Sequence, residues 1–297
     1  LVFRPDLPEV HANLANALQS LGRSAEAEKS FRQALAIKSD FAEMHCGLGH
    51  ALRDQDKFSQ AAESYQNALA LRPDYPEAKH FLAVVSGENR EYTDPDYIVA
   101  LFDTYADQFD EHLVEDLAYD IPRELTAAIQ EVRSDLKDLV ILDLGCGTGL
   151  SGPFLKPFAK TLIGVDLSAK MLARAEERQV YDQCLQSEIV AFLSTQPQSS
   201  DLIIAADVLP YIGNLEPLFS TSLAALRLEG LLAFSIEEGV EDYALKAPSG
   251  RFFHSPTYVR TQSAMAGFTE VLARETVVRT ENGEPSAGWI FILRRPD

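Results

Sequence analysis

Tryptophan occurs once in this chain, at position 289, and cysteine and methionine three times each. Cys46, Cys146 and Cys184 are scattered and odd in number, which argues against a disulfide framework and for reduced thiols in a cytoplasm. Long apolar runs are missing too. No stretch of about eighteen apolar residues occurs, so no membrane-spanning helix is expected. No secretory signal pattern is visible. Positive charge is scarce: 26 Lys+Arg stand against 45 Asp+Glu, a net charge of −19. Such a surface repels phosphate backbones and anionic lipid, which disfavours nucleic acid and membranes as partners. The acid is concentrated in residues 91–138, with fourteen Asp+Glu against three Lys+Arg.

What is present is enough chain for about two domains. Its 297 residues are 46% hydrophobic and 24% charged, the balance of a globular protein. The first ninety repeat with a period of 34: Leu14, Leu48 and Leu82 share one position, and Ala27 with Ala61, Phe31 with Tyr65, and Ala34 with Ala68 share others. The pattern resembles the tetratricopeptide repeat (TPR), two antiparallel helices with alanines at their crossing and an aromatic between them. Two repeats are expected, at residues 8–41 and 42–75, with a capping helix from about 76 to 87. Residues 1–7 match the end of a repeat and the chain opens on Leu1 rather than methionine, so an array cut through at its front is expected. The resemblance implies a protein partner in the array's groove. His45, Cys46 and His50 could suggest a metal. However, His11 occupies the same repeat position as His45 and no second cysteine completes a set, so no metal is expected.

The second half is organised around V-I-L-D-L-G-C-G-T-G-L at residues 140–150. The apolar run at 139–142 reads as a buried parallel strand ending in Asp143. Gly145, Gly147 and Gly149 follow as a loop whose backbone amides can approach a ligand closely. A second strand at 161–165 ends in Asp166, where nucleotide-binding α/β folds place an acid for ribose hydroxyls. The spacing G-x-G-x-G is not the dinucleotide fingerprint, whose third glycine comes one residue later. The strings D-L-G-C-G-T-G, G-V-D-L-S and D-L-I-I-A-A-D-V-L together resemble the class I S-adenosylmethionine (SAM) dependent methyltransferases, and with the repeats the chain resembles predicted TPR-containing methyltransferases.

The fold this implies is an all-α TPR array over 1–90 followed by an α/β Rossmann-like domain over 91–297. Within the latter, 91–138 forms a helical lid and 139–297 a core with strand order 3-2-1-4-5-7-6. The implied cofactor is SAM, with S-adenosylhomocysteine as product. Asp143, Gly145, Cys146, Gly147 and Gly149 are expected at its methionine end, Asp166 at the ribose, and Leu167, Met171, Ser187, Glu188 and Ala206 around the adenine and the methyl. Many relatives carry N/D-P-P-Y after strand four; here the turn reads Val208-Leu-Pro-Tyr211. Tyr105 and Phe109 are expected in the lid, and Leu209, Tyr211 and Arg251 on the acceptor side. His254 is the expected base, with Asp207, Tyr211 and His112 as substitutes. The acceptor is either a protein recruited by the array or a small molecule. An interaction protein with a regulatory or inactive SAM-binding domain is the competing reading.

Overall fold

The computed structural model describes residues 7–88, 90–113, 117–281 and 283–297. Two expectations, the front half-repeat at 1–6 and the turn residue Asn282, lie outside these. The chain divides into two compact units: Leu1–Arg90 with Leu245–Arg251, and Glu91–Ala244 with Phe252–Asp297. No helix among the described residues is long and apolar enough to cross a membrane.

The first unit holds five helices: α1 (Pro8–Ser20), α2 (Ser24–Ile37), α3 (Ala42–Arg53), α4 (Phe58–Leu71) and α5 (Pro76–Ser86). Alanines 15, 27, 34, 51, 61, 68 and 78 are fully buried where helices cross, and Phe31 and Tyr65 fill the space between them. The packing is tight enough that a Cβ at Gly47 would stand 2.4 Å from the Phe31 ring. Prolines in the first turns of α1 and α5 remove an amide that no helical carbonyl could use.

The second unit opens with α6 (Pro95–Tyr105), the short α7 (Phe109–Glu111) and α8 (Ile121–Val132). Asp94 caps α6 by accepting from the Asp96 amide. Strands β1 (Leu139–Leu144), β2 (Ala159–Asp166), β3 (Gln183–Gln186), β4 (Ser200–Ala205) and β5 (Leu226–Glu237) follow. Between them run α9 (Gly152–Leu155), α10 (Ala169–Glu177), α11 (Ile189–Ser194) and α12 (Glu216–Ala225). A separate pair, β6 (Tyr243–Lys246) and β7 (Arg251–His254), precedes α13 (Pro256–Ala266), and the hairpin β8 (Thr269–Glu281) and β9 (Glu284–Arg294) ends the chain. The seven-stranded sheet runs β3-β2-β1-β4-β5-β9-β8. This is the expected order once β6 and β7 are counted apart. These two short strands are additional to the seven expected.

Alternate residues of the central strands feed two cores. Leu142, Leu144, Ile203 and Phe234 pack with α12 and α13 on one face. Leu139, Ile141, Ile204 and Ala233 pack with α8 on the other. Asp143 shares the parity of Leu139 and Ile141, so it lies on the α8 face. The chain reverses its strand order between β1 and β4, and ligands of open α/β sheets sit in the crevice outside the carboxyl ends there.

Candidate functional site

The loop after β1 is shaped by backbone no side chain favours. Gly145, Gly147 and Gly149 have φ of +60°, +54° and +85°. A Cβ on Gly145 would also lie 2.5 Å from Val208 Cγ2, so the loop lies against the turn that follows β4. The Asp166 carboxylate ties this loop to the end of β2: Oδ2 accepts from the Gly147 amide at 2.9 Å and Oδ1 from the Ser168 amide at 2.8 Å. Burial raises its pKa, partly offset by those amides. Asp143 is 1% exposed and takes a 2.6 Å hydrogen bond from the Tyr181 hydroxyl. Burial pushes it up to about 7; the Tyr181 bond pulls against that and the Asp166 charge adds to it. One buried and one half-buried carboxylate thus sit beside one glycine loop, and neither has a cationic partner among the described residues.

The aromatic lid meets the loop. Phe109 Cε1 comes within 3.9 Å of the Cβ position of Gly147. Edge contacts then run from Tyr105 to Phe109 (5.4 Å between centroids), Phe109 to Phe102 (6.0 Å) and Phe102 to Tyr211 (5.4 Å). The lid and the turn after β4, both expected at the acceptor, therefore converge. The Tyr105 hydroxyl and His112 Nδ1 are buried with no partner among the described residues.

Three of the segment's acidic residues are bonded to the glycine loop or to α10 and its cap. Asp103 accepts from the Ser168 hydroxyl at 2.6 Å, and Asp107 pairs with Arg174 at 2.5 Å. Asp110 takes both the Thr148 hydroxyl and Arg178, and Arg178 also donates to the Thr148 carbonyl at 2.6 Å. The lid is latched to the glycine loop and to the helix that Asp166 precedes.

Beyond the turn after β4 lies a cluster of which the sequence pointed only to Asp207. Arg279 on β8, 4% exposed, pairs with Asp207 at 2.5 Å and Glu237 at 2.7 Å. Burial works against its charge, yet the two carboxylates more than offset that and hold it protonated. Asp207 follows β4 with φ +59°, a left-handed conformation uncommon outside glycine. Its position one residue before Val208 was the available signal, whereas nothing local marks Arg279, 72 residues away.

Several expected residues take other roles. His254 is fully buried, and its Nε2 donates to the Ile212 carbonyl at 2.8 Å and approaches that of Gly213 at 3.2 Å. Burial lowers its pKa to about 4. It braces the segment behind Tyr211 instead of opening into a pocket. Arg251 groups with the helical unit. Leu209 is fully buried among the core residues Leu215 and Phe219, so it walls no substrate. Glu188 is exposed and caps α11, accepting from the Val190 and Ala191 amides. The Cys146 side chain packs with Leu172 and Ala175 under the loop, so only its backbone can serve a ligand. Met171 is 1% exposed, while Leu167, Ser187 and Ala206 are half-buried near the ends of β2, β3 and β4.

Comparison with known proteins follows this geometry. Residues 142–234 match the family model described as a methyltransferase domain. Residues 8–41 and 49–85 match models described as a tetratricopeptide repeat and a TPR repeat. The chain is 31% identical over 143 residues to trans-aconitate 2-methyltransferase of Paracidovorax citrulli, covering 47% of this chain and 50% of that one. It is 34% identical over 102 residues to a probable S-adenosylmethionine-dependent methyltransferase of Saccharomyces cerevisiae, covering 32% and 34%. The chain thus spans between a third and a half of the length of these relatives. Among solved structures, the 4+2 cyclase SpnF superposes with a TM-score of 0.55 at 14% identity, over 68% of this chain and 96% of that one. That likeness speaks for the fold alone. The chain carries two tetratricopeptide repeats followed by a methyltransferase domain.

Proposed function

We propose that residues 91–297 bind SAM and transfer its methyl group to an acceptor brought to the turn after β4. The observation that supports this is the Asp166 carboxylate bonded to the Gly147 amide, which fixes the glycine loop against the acid at the end of β2. The residues fit the cofactor on chemical grounds. Asp143, buried, and Asp166, half-buried, are carboxylates suited to the ammonium and hydroxyl donors SAM carries, and the Tyr105 hydroxyl is buried with no partner among the described residues. SAM supplies an electrophilic methyl on a sulfonium. Gly145 and Gly147 leave backbone room at its methionine end, Asp166 holds the ribose, and Met171 and Leu167 flank the adenine. Phe109 and Tyr105 exclude water from the sulfonium.

On the acceptor side, Asp207 stands at the turn after β4, paired with Arg279, and takes the place of His254 as the proton acceptor, because His254 is turned to two backbone carbonyls. The TPR unit recruits a protein that is the acceptor or delivers it.

Titration calorimetry with SAM on the full chain tests the cofactor half. Two charge-assisted hydrogen bonds are worth roughly 1.5–3 kcal/mol each, so Asp166→Ala should bind SAM about a hundredfold more weakly or worse. Binding within about threefold of the parent sinks the assignment. If SAM binds but labelled SAM passes no methyl to any fraction of a host lysate, the regulatory reading takes its place.

A further inference from the structure

The helical unit holds a side-chain cluster that the methyl-transfer reading leaves unused. Cys46 and His50 lie one turn apart on α3 and point the same way. The first turn of α5 brings Glu77 to them. Cys46 Sγ stands 3.5 Å from His50 Nε2, and His50 Nε2 stands 3.1 Å from Glu77 Oε1. All three ligand atoms lie within 4.8 Å of one another. We propose that Cys46, His50 and Glu77 form a zinc site that clamps α3 of the second repeat to α5.

The distances suit that ion. Zinc takes thiolate sulfur at about 2.3 Å and imidazole nitrogen or carboxylate oxygen at about 2.0–2.2 Å in a tetrahedron, which sets sulfur and nitrogen about 3.5 Å apart and nitrogen and oxygen about 3.4 Å apart. Both contacts are near those separations before any metal draws the groups together. The charges suit it as well, since one thiolate and one carboxylate neutralise a divalent cation. Binding releases the Cys46 proton to solvent, so affinity rises with pH.

Outer groups hold the ligands in place. His50 Nδ1 lies 2.9 Å from the Tyr65 hydroxyl, the second hydrogen bond that a metal-ligating imidazole uses to fix its tautomer. Tyr75 donates to the other Glu77 oxygen at 3.3 Å. The Phe81 ring meets the imidazole edge-on at 4.8 Å and walls the site. The opposing charges are Arg53, whose Nη1 is 3.4 Å from His50 Nδ1 and which pairs with Asp54 at 2.7 Å, and Arg72, which pairs with Glu43 at 2.9 Å. His45 takes no part, because its Nε2 bonds the Ser39 carbonyl. Three protein ligands leave a fourth position for water or for a donor from a docked partner.

The sequence reading set a metal aside because no second cysteine completed the set. The missing ligand is a carboxylate 31 residues from Cys46, on a helix only the folded array brings near.

The test uses the full chain with zinc alone and cobalt(II) as a spectroscopic stand-in. After dialysis against one equivalent of zinc, metal analysis should give close to one zinc per chain, and cobalt should produce a sulfur-to-cobalt charge-transfer band. Cys46→Ser should abolish the band, and Glu77→Gln, which keeps the size and a hydrogen-bonding oxygen, should weaken zinc affinity at least tenfold. Cys184→Ser should leave both unchanged. Circular dichroism of each variant separates loss of metal from loss of fold. Absence of the band in the parent, or a band that survives Cys46→Ser and vanishes with Cys184→Ser, overturns the proposal.

Discussion

Replacing Asp143 by asparagine should make the ligand-free methyltransferase unit more stable and a poorer binder of SAM. Asp143 is 1% exposed and its carboxyl is pushed from 3.8 to about 7. The sign follows from which state holds the proton. Between about pH 4 and pH 7 the folded chain keeps the proton and the unfolded chain has lost it, so this group's contribution to stability falls as pH rises through that window and is flat above it. The full cost above pH 7 has a ceiling of about 4 kcal/mol. An asparagine pays none of it, and its amide oxygen still accepts from Tyr181. Its own N–H group returns part of the gain if left unsatisfied, about 1–3 kcal/mol.

The sharper quantity is therefore the slope. The variant's advantage over the parent should grow by about 2 kcal/mol between pH 5.5 and pH 8. Trp289, the single tryptophan, lies on β9 and so reports unfolding of this unit and not of the repeats. Urea titrations followed by its fluorescence at several pH values measure the slope. Calorimetry at pH 8 should show SAM affinity reduced roughly tenfold to a hundredfold. An advantage that stays constant with pH, or a variant that binds SAM as well as the parent, would refute the reasoning.

Three further outcomes are expected. His254 sits at about 4 when folded against 6.5 when free, so the unfolded chain binds the proton first and stability is lost as pH falls below about 6.5; His254→Gln should flatten that acid limb in the Trp289 signal, and an unchanged limb removes the bracing role. Gly145→Ala puts a Cβ at φ +60° against Val208 and should cost about 1–3 kcal/mol of stability together with cofactor affinity, which parallel urea and calorimetry curves would read. Arg178→Met removes the bonds to Asp110 and Thr148, so SAM should dissociate several-fold faster in stopped flow; a dissociation rate equal to the parent's would mean the latch does not gate the site.

Elements whose cause is local were legible. The apolar run of β1 and the three glycines after it each carry their explanation within a few residues, and the structure repeats them. The sheet order was legible because the alternation of strand and helix allows few topologies. Residues assigned by position alone fared worse. Glu188 and His254 stood where a ligand contact was expected, but whether a side chain faces a ligand or a backbone amide depends on the neighbouring segments. Partners brought together by the fold left no trace at all: Arg279 with Asp207, Glu77 with His50, and the lid aspartates with Arg174 and Arg178 are joined across 72, 27 and 67–68 positions. β6 and β7 escaped because four-residue strands beside proline and glycine read as turns.

One consequence concerns the segment behind Tyr211. It is fastened on both sides: Thr93 donates to the Tyr211 carbonyl at 2.9 Å, the Gly213 and Asn214 amides donate to Glu91 at 2.8 Å, and His254 holds the Ile212 carbonyl. The opposite boundary, the lid, is held mostly by side-chain charge pairs near the surface, which exchange readily with water and salt. An acceptor that reached the methyl between these two boundaries would meet one anchored side and one yielding side. The anchored side would set the orientation in which it presents its nucleophile. The yielding side limits how bulky the remainder can be, so widening the range of acceptors would call for changes on α6 and α7, while redirecting the methyl to a different atom of the same acceptor would call for changes at 207–214.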